Sequence, residues 1–528
     1  RRSMGCISPD GSHRSEWKYR AVTVSRRQFL IGLGAVGGAG AVLGGLAVID
    51  RGSGDRRPFR APAAGDFTLQ GRTNETSVLV LGAGVAGLAC AYELEKAGYA
   101  VTVLEARGRT GGRNLTVRPG TELTDTRGTV QRADLGEGRW FNAGAARIAA
   151  HHTTIDYCRE LGVAIEPFVN VNVDAYVVAN GEVRRRRSLD ADLDGYVAEL
   201  LTKAIPTGVL DDEITADEKD ALYAYLQGVG AIAPVERGYD ESPGAGEQAG
   251  EIQDPDQLAT VLAFDPGMRR YFERDWHLST PMFHPVGGMD ALPLALTAAL
   301  VGEIHTAAEI RSVGADGGGV SARLVDGSEI RAEHGICTLP PWIAAALASP
   351  WDSAVTRALQ TPVRFATGKI GLEYERRFWE TGDRILGGIT TTDREPREIW
   401  YPSTGYLGSG GVLIGAYPFG PAADRFSRLD HDARTEVALT AGEEVHGPEY
   451  REGLRSSLSV DWRTQPFSEG AWAEWPDYGV AYQRLLEPAG RWWFAGDWLT
   501  RTVGWQHGAL ESARRTVTAL HEMVLGAD

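Results

Sequence analysis

The sequence predicts an α/β protein with a Rossmann-type dinucleotide-binding domain. A strand–turn–helix–strand pattern spans residues 77–105. Three glycines at Gly-x-Gly-x-x-Gly spacing sit at its turn, and an acidic residue ends its second strand. At 528 residues the chain exceeds one compact core, and the usual domain size implies about two to four structural units.

Each part of the pattern has a physical task. Residues 77–81, Ser-Val-Leu-Val-Leu, read as a buried parallel strand. Gly82 permits the tight turn, Gly84 lets backbone approach a pyrophosphate, and Gly87 lets the helix pack on the strand. Val85 and Ala86 lie between them, where the helix N-terminus turns free N–H groups and its positive dipole end toward phosphate. The helical pattern runs from about Leu88 to Lys96 and stops at Gly98. A second strand over 100–104 delivers Glu105, 23 residues after Gly82, where a carboxylate can accept both ribose hydroxyls.

The formal net charge of -16 is uneven: residues 1–60 hold eleven Lys/Arg and four Asp/Glu, and the remainder carries 43 basic against 66 acidic residues. Such a surface repels phosphate backbones and excludes nucleic acid as a partner. Four cysteines show no metal-ligand or CxxC spacing, so no metal is expected; Cys90 and Cys337 read as small buried hydrophobes. Ser25-Arg26-Arg27-Gln28-Phe29-Leu30 precedes an apolar, Gly/Ala-rich run to about Ile49. Paired arginines before a weakly hydrophobic segment predict a bacterial twin-arginine export signal within residues 1–50, hence a secreted or cell-envelope protein with no stable membrane insertion after processing. Residues 51–73 read as a linker.

The residues after Glu105 choose the dinucleotide. Ala106-Arg107-Gly108 leads into Arg109-Thr110-Gly111-Gly112-Arg113-Asn114-Leu115-Thr116, a second glycine pair with flanking arginines. This Arg-x-Gly-Gly-Arg-x-x-Thr stretch resembles the FAD-dependent amine-oxidase group, which includes monoamine, polyamine and L-amino acid oxidases. The resemblance implies FAD, with Ala106, Arg107, Gly112 and Arg113 among its contacts. It continues in separated blocks over most of residues 75–520. Pro285 to Asp290 resembles the re-entry into the FAD domain. Ile304 to Val313 reads as a short strand pair, with Ile310 touching adenine through its backbone. Ile336 to Pro340 resembles the strand that closes this segment. Lys369 stands ten residues before Trp379, the family spacing for the lysine that holds a water near flavin N5. Trp492 to Asp497 and Gly504 to Ala513 resemble the last FAD segment. There Asp497 bonds the ribityl chain, and a helix beginning near Gln506, with Gly508 and Ala509 in its first turn, points its N-terminus at the flavin. His507 replaces a residue that is usually acidic or small and polar, and it either bonds the flavin or only fills space.

Phe141 to Ile148 resembles the L-amino acid oxidase form of its loop. Gly144, Ala145 and Ala146 approach the cofactor, and Arg147 pairs with the substrate carboxylate. A guanidinium offers two parallel hydrogen bonds to a carboxylate. Tyr417 falls where the same oxidases place a hydroxyl on that carboxylate. Gly504 and Trp505 bound the substrate pocket, with Trp505 beside the flavin, and Trp472 takes a second cage position. Ala471 stands where monoamine oxidases link flavin through cysteine, so the resemblance implies non-covalent FAD.

The implied layout is a discontinuous FAD domain (74–150, 285–345, 485–528), a mixed-sheet substrate domain (165–187, 346–480) and a helical insertion (188–284). The implied reaction is oxidative deamination of a small L-amino acid by dioxygen, with Lys369 and Trp505 as the catalytic candidates. The alternatives are a decarboxylating, amide-forming amino acid monooxygenase and a monoamine or polyamine oxidase. The expected partners are the amino acid and dioxygen; a homo-oligomer is compatible with the sequence.

Overall fold

A computed structural model describes residues 66–73, 76–208, 211–230, 232, 238–239, 253–265, 275, 277–278 and 281–527. Residues 1–50, where an export signal is expected, and most of the stretch 238–254 lie outside the described residues. Among the described residues no helix is long and apolar enough to cross a membrane.

The nucleotide-binding sheet has five parallel strands in the order Glu303–His305, Ala100–Leu104, Ser77–Leu81, His334–Cys337, Trp492–Phe494. Its strands therefore come from three distant stretches of chain. Both faces are covered, as a parallel sheet requires. Val78 and Val80 face the helices Val85–Lys96 and Gln506–Ala527, where Cys90, Leu510, Ala513 and Val517 are fully buried. Leu79 and Leu81 face the opposite way, into a second core with Val320, Val355, Leu485 and Trp498. Cys90, Cys158 and Cys337 are all buried and free.

The second large sheet has seven strands in the order Glu182–Arg185, Tyr176–Ala179, Gly388–Thr392, Glu398–Tyr401, Gly411–Ala416, Gly368–Tyr374, Leu454–Asp461. It is mixed: Gly388–Thr392 runs parallel to Tyr176–Ala179, and the other pairs are antiparallel. Strand Gly368–Tyr374 is buried throughout, which places Lys369 in the interior rather than at a solvated strand end.

Three expectations are corrected. First, residues 66–73 are not free linker. Leu69 is buried in the first core, and Thr73 N donates to Ala97 O at 3.1 Å. One leucine without periodicity leaves no pattern to read. Second, the helical unit is shorter than 188–284. The described residues within Ala191–Ser242 form a compact unit with a core of Ala198, Ile205, Leu226, Ile232 and Tyr239, whereas those from Gln253 on group with the rest of the chain. Within that unit Tyr239 donates to Asp192 at 2.7 Å, and Thr215 with Glu218 forms a capping box at the start of helix Ala216–Val229. Met282–Pro285, at the edge of the expected insertion, is instead a strand between Ile148–Ala149 and Ile165–Phe168. Third, Ile304 and Val313 do not pair. Glu303–His305 joins the parallel sheet, and Ile310–Asp316 joins a separate antiparallel three-stranded sheet.

Candidate active site

A cavity of about 790 Å³ runs between the two sheets, from the Gly82 turn to the clamp residues Arg147 and Tyr417. At the nucleotide end Gly82 has φ 98°, a left-handed value that suits glycine. A Cβ placed on Gly84 would meet nothing within 4 Å, so its side opens onto cavity space, with Val85 and Ala86 beside it. Glu105 is buried. Its two oxygens each accept one backbone N–H at 2.9 Å, from Ala83 and Arg107, and lone pairs remain for hydroxyl groups. Ala106 and Ile310 line the same end.

Arginines tie this end to the chain's last third. Arg107 donates to Pro466 O and, at 2.8 Å, to Ser468 Oγ, and burial brings its pKa down to about 10. Arg113 pairs with Asp497 and donates to Ala471 O at 2.5 Å. The other oxygen of Asp497 accepts Gly504 N at 2.9 Å. Gly112, at φ 56°, comes so close to Gly84 that an added Cβ would lie 3.3 Å from the Gly84 Cα. The two glycine stretches thus close one cradle.

At the other end Gly144, Ala145 and Ala146 line the cavity below Lys369. Lys369 is 2% exposed and donates to Gly144 O at 2.7 Å and Asn142 O at 3.3 Å. Its ammonium also lies 4.9 Å from the Trp400 ring centre and 4.7 Å from that of Tyr417. Burial, with Arg147 nearby, lowers its pKa to about 7. Arg147 donates to Asn170 Oδ1 and stands 4.7 Å over Trp400. Among the described residues no carboxylate lies within 4.0 Å of its guanidinium. Tyr417 faces the cavity with its ring 5.3 Å from Trp400, and burial keeps its phenol protonated. Trp472 stacks on Phe365 at 4.3 Å, and a Cβ added to Gly504 would lie 3.6 Å from its ring; Trp505 lies 5.9 Å from the Arg147 guanidinium.

Gln506 opens the last helix and lines the cavity with Ala509. Its amide nitrogen donates to Asn114 Oδ1 at 2.7 Å, while its Oε1 is buried without a partner. A buried orphan acceptor is costly unless a ligand supplies a donor. The open Gly84 cradle, the spare lone pairs of Glu105 and this orphan together fit a dinucleotide with a polar ring system.

Three residues expected at the cofactor are placed elsewhere. Gly87 and Gly508 do not line the cavity. An added Cβ would lie 1.9 Å from Gly82 O at the first and 2.1 Å from Thr502 O at the second, so both glycines serve backbone packing. His507 turns away. Its Nδ1 accepts Thr153 N at 3.1 Å, and its ring stacks on His152 at 4.5 Å. It thereby joins a histidine group that carries no local pattern, because His152 and His277 are 125 residues apart. Ligand nitrogens of His151, His152 and His277 lie within 4.8 Å of one another. Their hydrogen bonding runs from ring to ring: Ala149 N donates to His152 Nδ1 (3.4 Å), which leaves the proton on His152 Nε2 to donate to His277 Nδ1 (3.0 Å). Burial lowers the pKa of His152 to about 2 and of His507 to about 4, so these rings are neutral at physiological pH.

A family model described as flavin-containing amine oxidoreductase matches residues 85–521. The chain belongs to this family. It is an oxidoreductase acting on CH–NH2, and FAD is its cofactor. Relatives in the family include an L-amino-acid oxidase of Siganus canaliculatus, 26% identical over 85% of this chain and 86% of its own length. Another is the flavin-dependent L-tryptophan oxidase RebO of Lentzea aerocolonigenes, 29% identical over 84% and 97%. A solved putrescine oxidase bound to putrescine matches 86% of this chain and 99% of its own at a TM-score of 0.58 and 19% identity, which shows a shared fold.

Sequence reasoning missed Glu398 and Trp400, which both line the cavity. The signal was present: Glu398-Ile399-Trp400-Tyr401 is a strand in which a charged residue shares a face with a tryptophan. Asn170, which orients Arg147, carried no pattern at all.

Proposed function

We propose that the chain oxidises the α-amine of an L-amino acid with dioxygen, giving a 2-oxo acid, ammonia and hydrogen peroxide. The observation that carries this reading is a guanidinium and a phenol, Arg147 and Tyr417, facing one cavity with no carboxylate within 4.0 Å of the guanidinium among the described residues. A simple amine has no group for such a clamp, whereas an α-carboxylate fits it by charge and by fork geometry. The L-amino-acid oxidase and L-tryptophan oxidase names of the relatives support the same assignment.

FAD, held by the Gly82–Gly84 turn, Glu105 and Gln506, would supply the two-electron acceptor for the Cα hydride and the path of those electrons to dioxygen. Arg147 and Tyr417 hold the carboxylate and so orient the Cα–H. Trp472 and Trp505 exclude water from the reacting carbon. The imino acid released is then hydrolysed by water to the 2-oxo acid and ammonia. The deciding experiment incubates purified holoenzyme with the twenty amino acids, simple amines and diamines, and analyses products. A 2-oxo acid with one equivalent of peroxide supports the proposal. An amide and carbon dioxide identify a monooxygenase, and turnover confined to amines identifies an amine oxidase.

Lys369 takes the proton-dependent part of the oxygen reaction. Its Nζ is held on Gly144 O and Asn142 O, and its charge favours the negative charge that builds up on dioxygen. With a pKa of about 7, the ammonium form is lost as pH rises through neutrality. The oxygen step of the wild type is therefore expected to slow above about pH 7. Lys369→Met should slow it by about 100-fold and flatten that pH profile. Stopped-flow mixing of the reduced enzyme with oxygen reads both; an unchanged rate and profile would remove Lys369 from this role.

Non-covalent FAD is part of the proposal. Ala471 lines the cavity and offers no nucleophile. Acid precipitation is expected to leave all yellow colour in the supernatant; colour in the pellet would show a linkage.

A further inference from the structure

At the clamp end of the cavity stands a carboxylate that the proposed chemistry does not use. Glu398 lines it beside Arg147, Lys369 and Tyr417. Trp400 Nε1 donates to Glu398 Oε2 at 2.7 Å. Its other oxygen accepts no hydrogen bond from any described residue, and among the described residues no basic group lies within 4.0 Å. The two neighbouring cations are held elsewhere, Arg147 on Asn170 and Lys369 on the carbonyls of residues 142 and 144. Glu398 is therefore not one half of a structural ion pair. A carboxylate out of water without a full set of partners is costly, and a pocket for an apolar side chain would be more stable with an apolar residue there.

The backbone is also strained to place it. Arg397 has φ 63°, and Glu398 N donates to Pro396 O at 2.7 Å across it. A two-residue hydrogen bond around a positive φ is the rare, strained form of the γ-turn. The same Pro396 oxygen accepts Tyr417 N at 2.9 Å. One strained turn thus sets the position of Glu398 relative to the phenol of the clamp. Strain of this kind persists where the surroundings hold it for a purpose.

We propose that Glu398 is the side-chain recognition group of the pocket and selects L-amino acids that end in a second positive charge, an amine or a guanidine. The inference rests on the amino-acid oxidase reading. The partner of Glu398 is the distal cation rather than the reacting α-amine: an ion pair on the α-amine would favour its protonated form, from which hydride cannot leave. With the α-carboxylate on Arg147 and the distal cation on Glu398, each of these two charges meets an opposite charge of the substrate.

The test uses the holoenzyme and Glu398→Gln, which keeps shape and removes charge. In the wild type kcat/KM for L-lysine, L-ornithine or L-arginine should exceed that for norleucine by roughly 100-fold, and the substitution should collapse this ratio. A second readout needs no turnover. α-Methyl-L-lysine has no Cα hydrogen to lose and should raise the wild-type Tm more than α-methyl-L-leucine does, with the difference gone in the variant. Wild-type preference for neutral side chains overturns the inference while leaving the amino-acid reading intact, as does an equal loss for lysine and norleucine in the variant. If no amino acid is bound or oxidised, the amino-acid reading fails and takes the inference with it.

Discussion

Arg147→Ala is expected to raise KM for L-amino acids by about two to three orders of magnitude, the range for removing one partner of a desolvated charge pair. The guanidinium is anchored by Asn170 and stacked over Trp400, so it meets a carboxylate in one fixed orientation. Without it, Tyr417 gives one neutral hydrogen bond where a charge-assisted pair stood. The loss has a second source. Arg147 offsets the charge of Glu398 and holds the Lys369 pKa down. Its removal takes one positive charge from the pocket, of which fuller protonation of Lys369 restores only a part. Steady-state kinetics on a series of amino acids and their decarboxylated amines separate these effects: KM should rise for the acids and stay level or fall for the amines. An unchanged KM for the acids would end the clamp assignment.

Gly87→Ala is expected to destabilise the nucleotide-binding domain by about 3 kcal/mol or more. The added Cβ would lie 1.9 Å from Gly82 O and 2.9 Å from Thr338 Oγ1. The first of these is backbone, so no rotamer change relieves it, and the helix must move off the strand. Gly84→Ala is the informative contrast, because its Cβ meets nothing within 4 Å in the protein. The first variant should lower the Tm of apoprotein and holoprotein alike. The second should leave the apoprotein Tm within about a degree and lower the flavin content of the purified protein. Equal apoprotein Tm values for the two variants would refute this division between a packing glycine and a cofactor glycine.

Part of this protein was legible because covalent geometry sets it locally. The turn at Gly82, the helix behind it and Glu105 at the end of the next strand are spaced by strand rise and helix pitch, so residue identity and interval suffice to read them. Arg147 and Tyr417 were found by resemblance, and both face the cavity. Other features are decided only by folding. Gly508 carries the same residue type as Gly84, yet what each glycine serves depends on whether backbone or cavity lies where a Cβ would stand. His507 is turned by Thr153 and stacked on His152, two partners brought from the far end of the chain. The strand pattern sets Glu398 on one face with Trp400, but only the sheet brings it beside Arg147, some 250 residues earlier. Local periodicity records the faces of helices and strands. Which faces meet across a cavity is set by long-range packing, and the charges of this site acquire their meaning there.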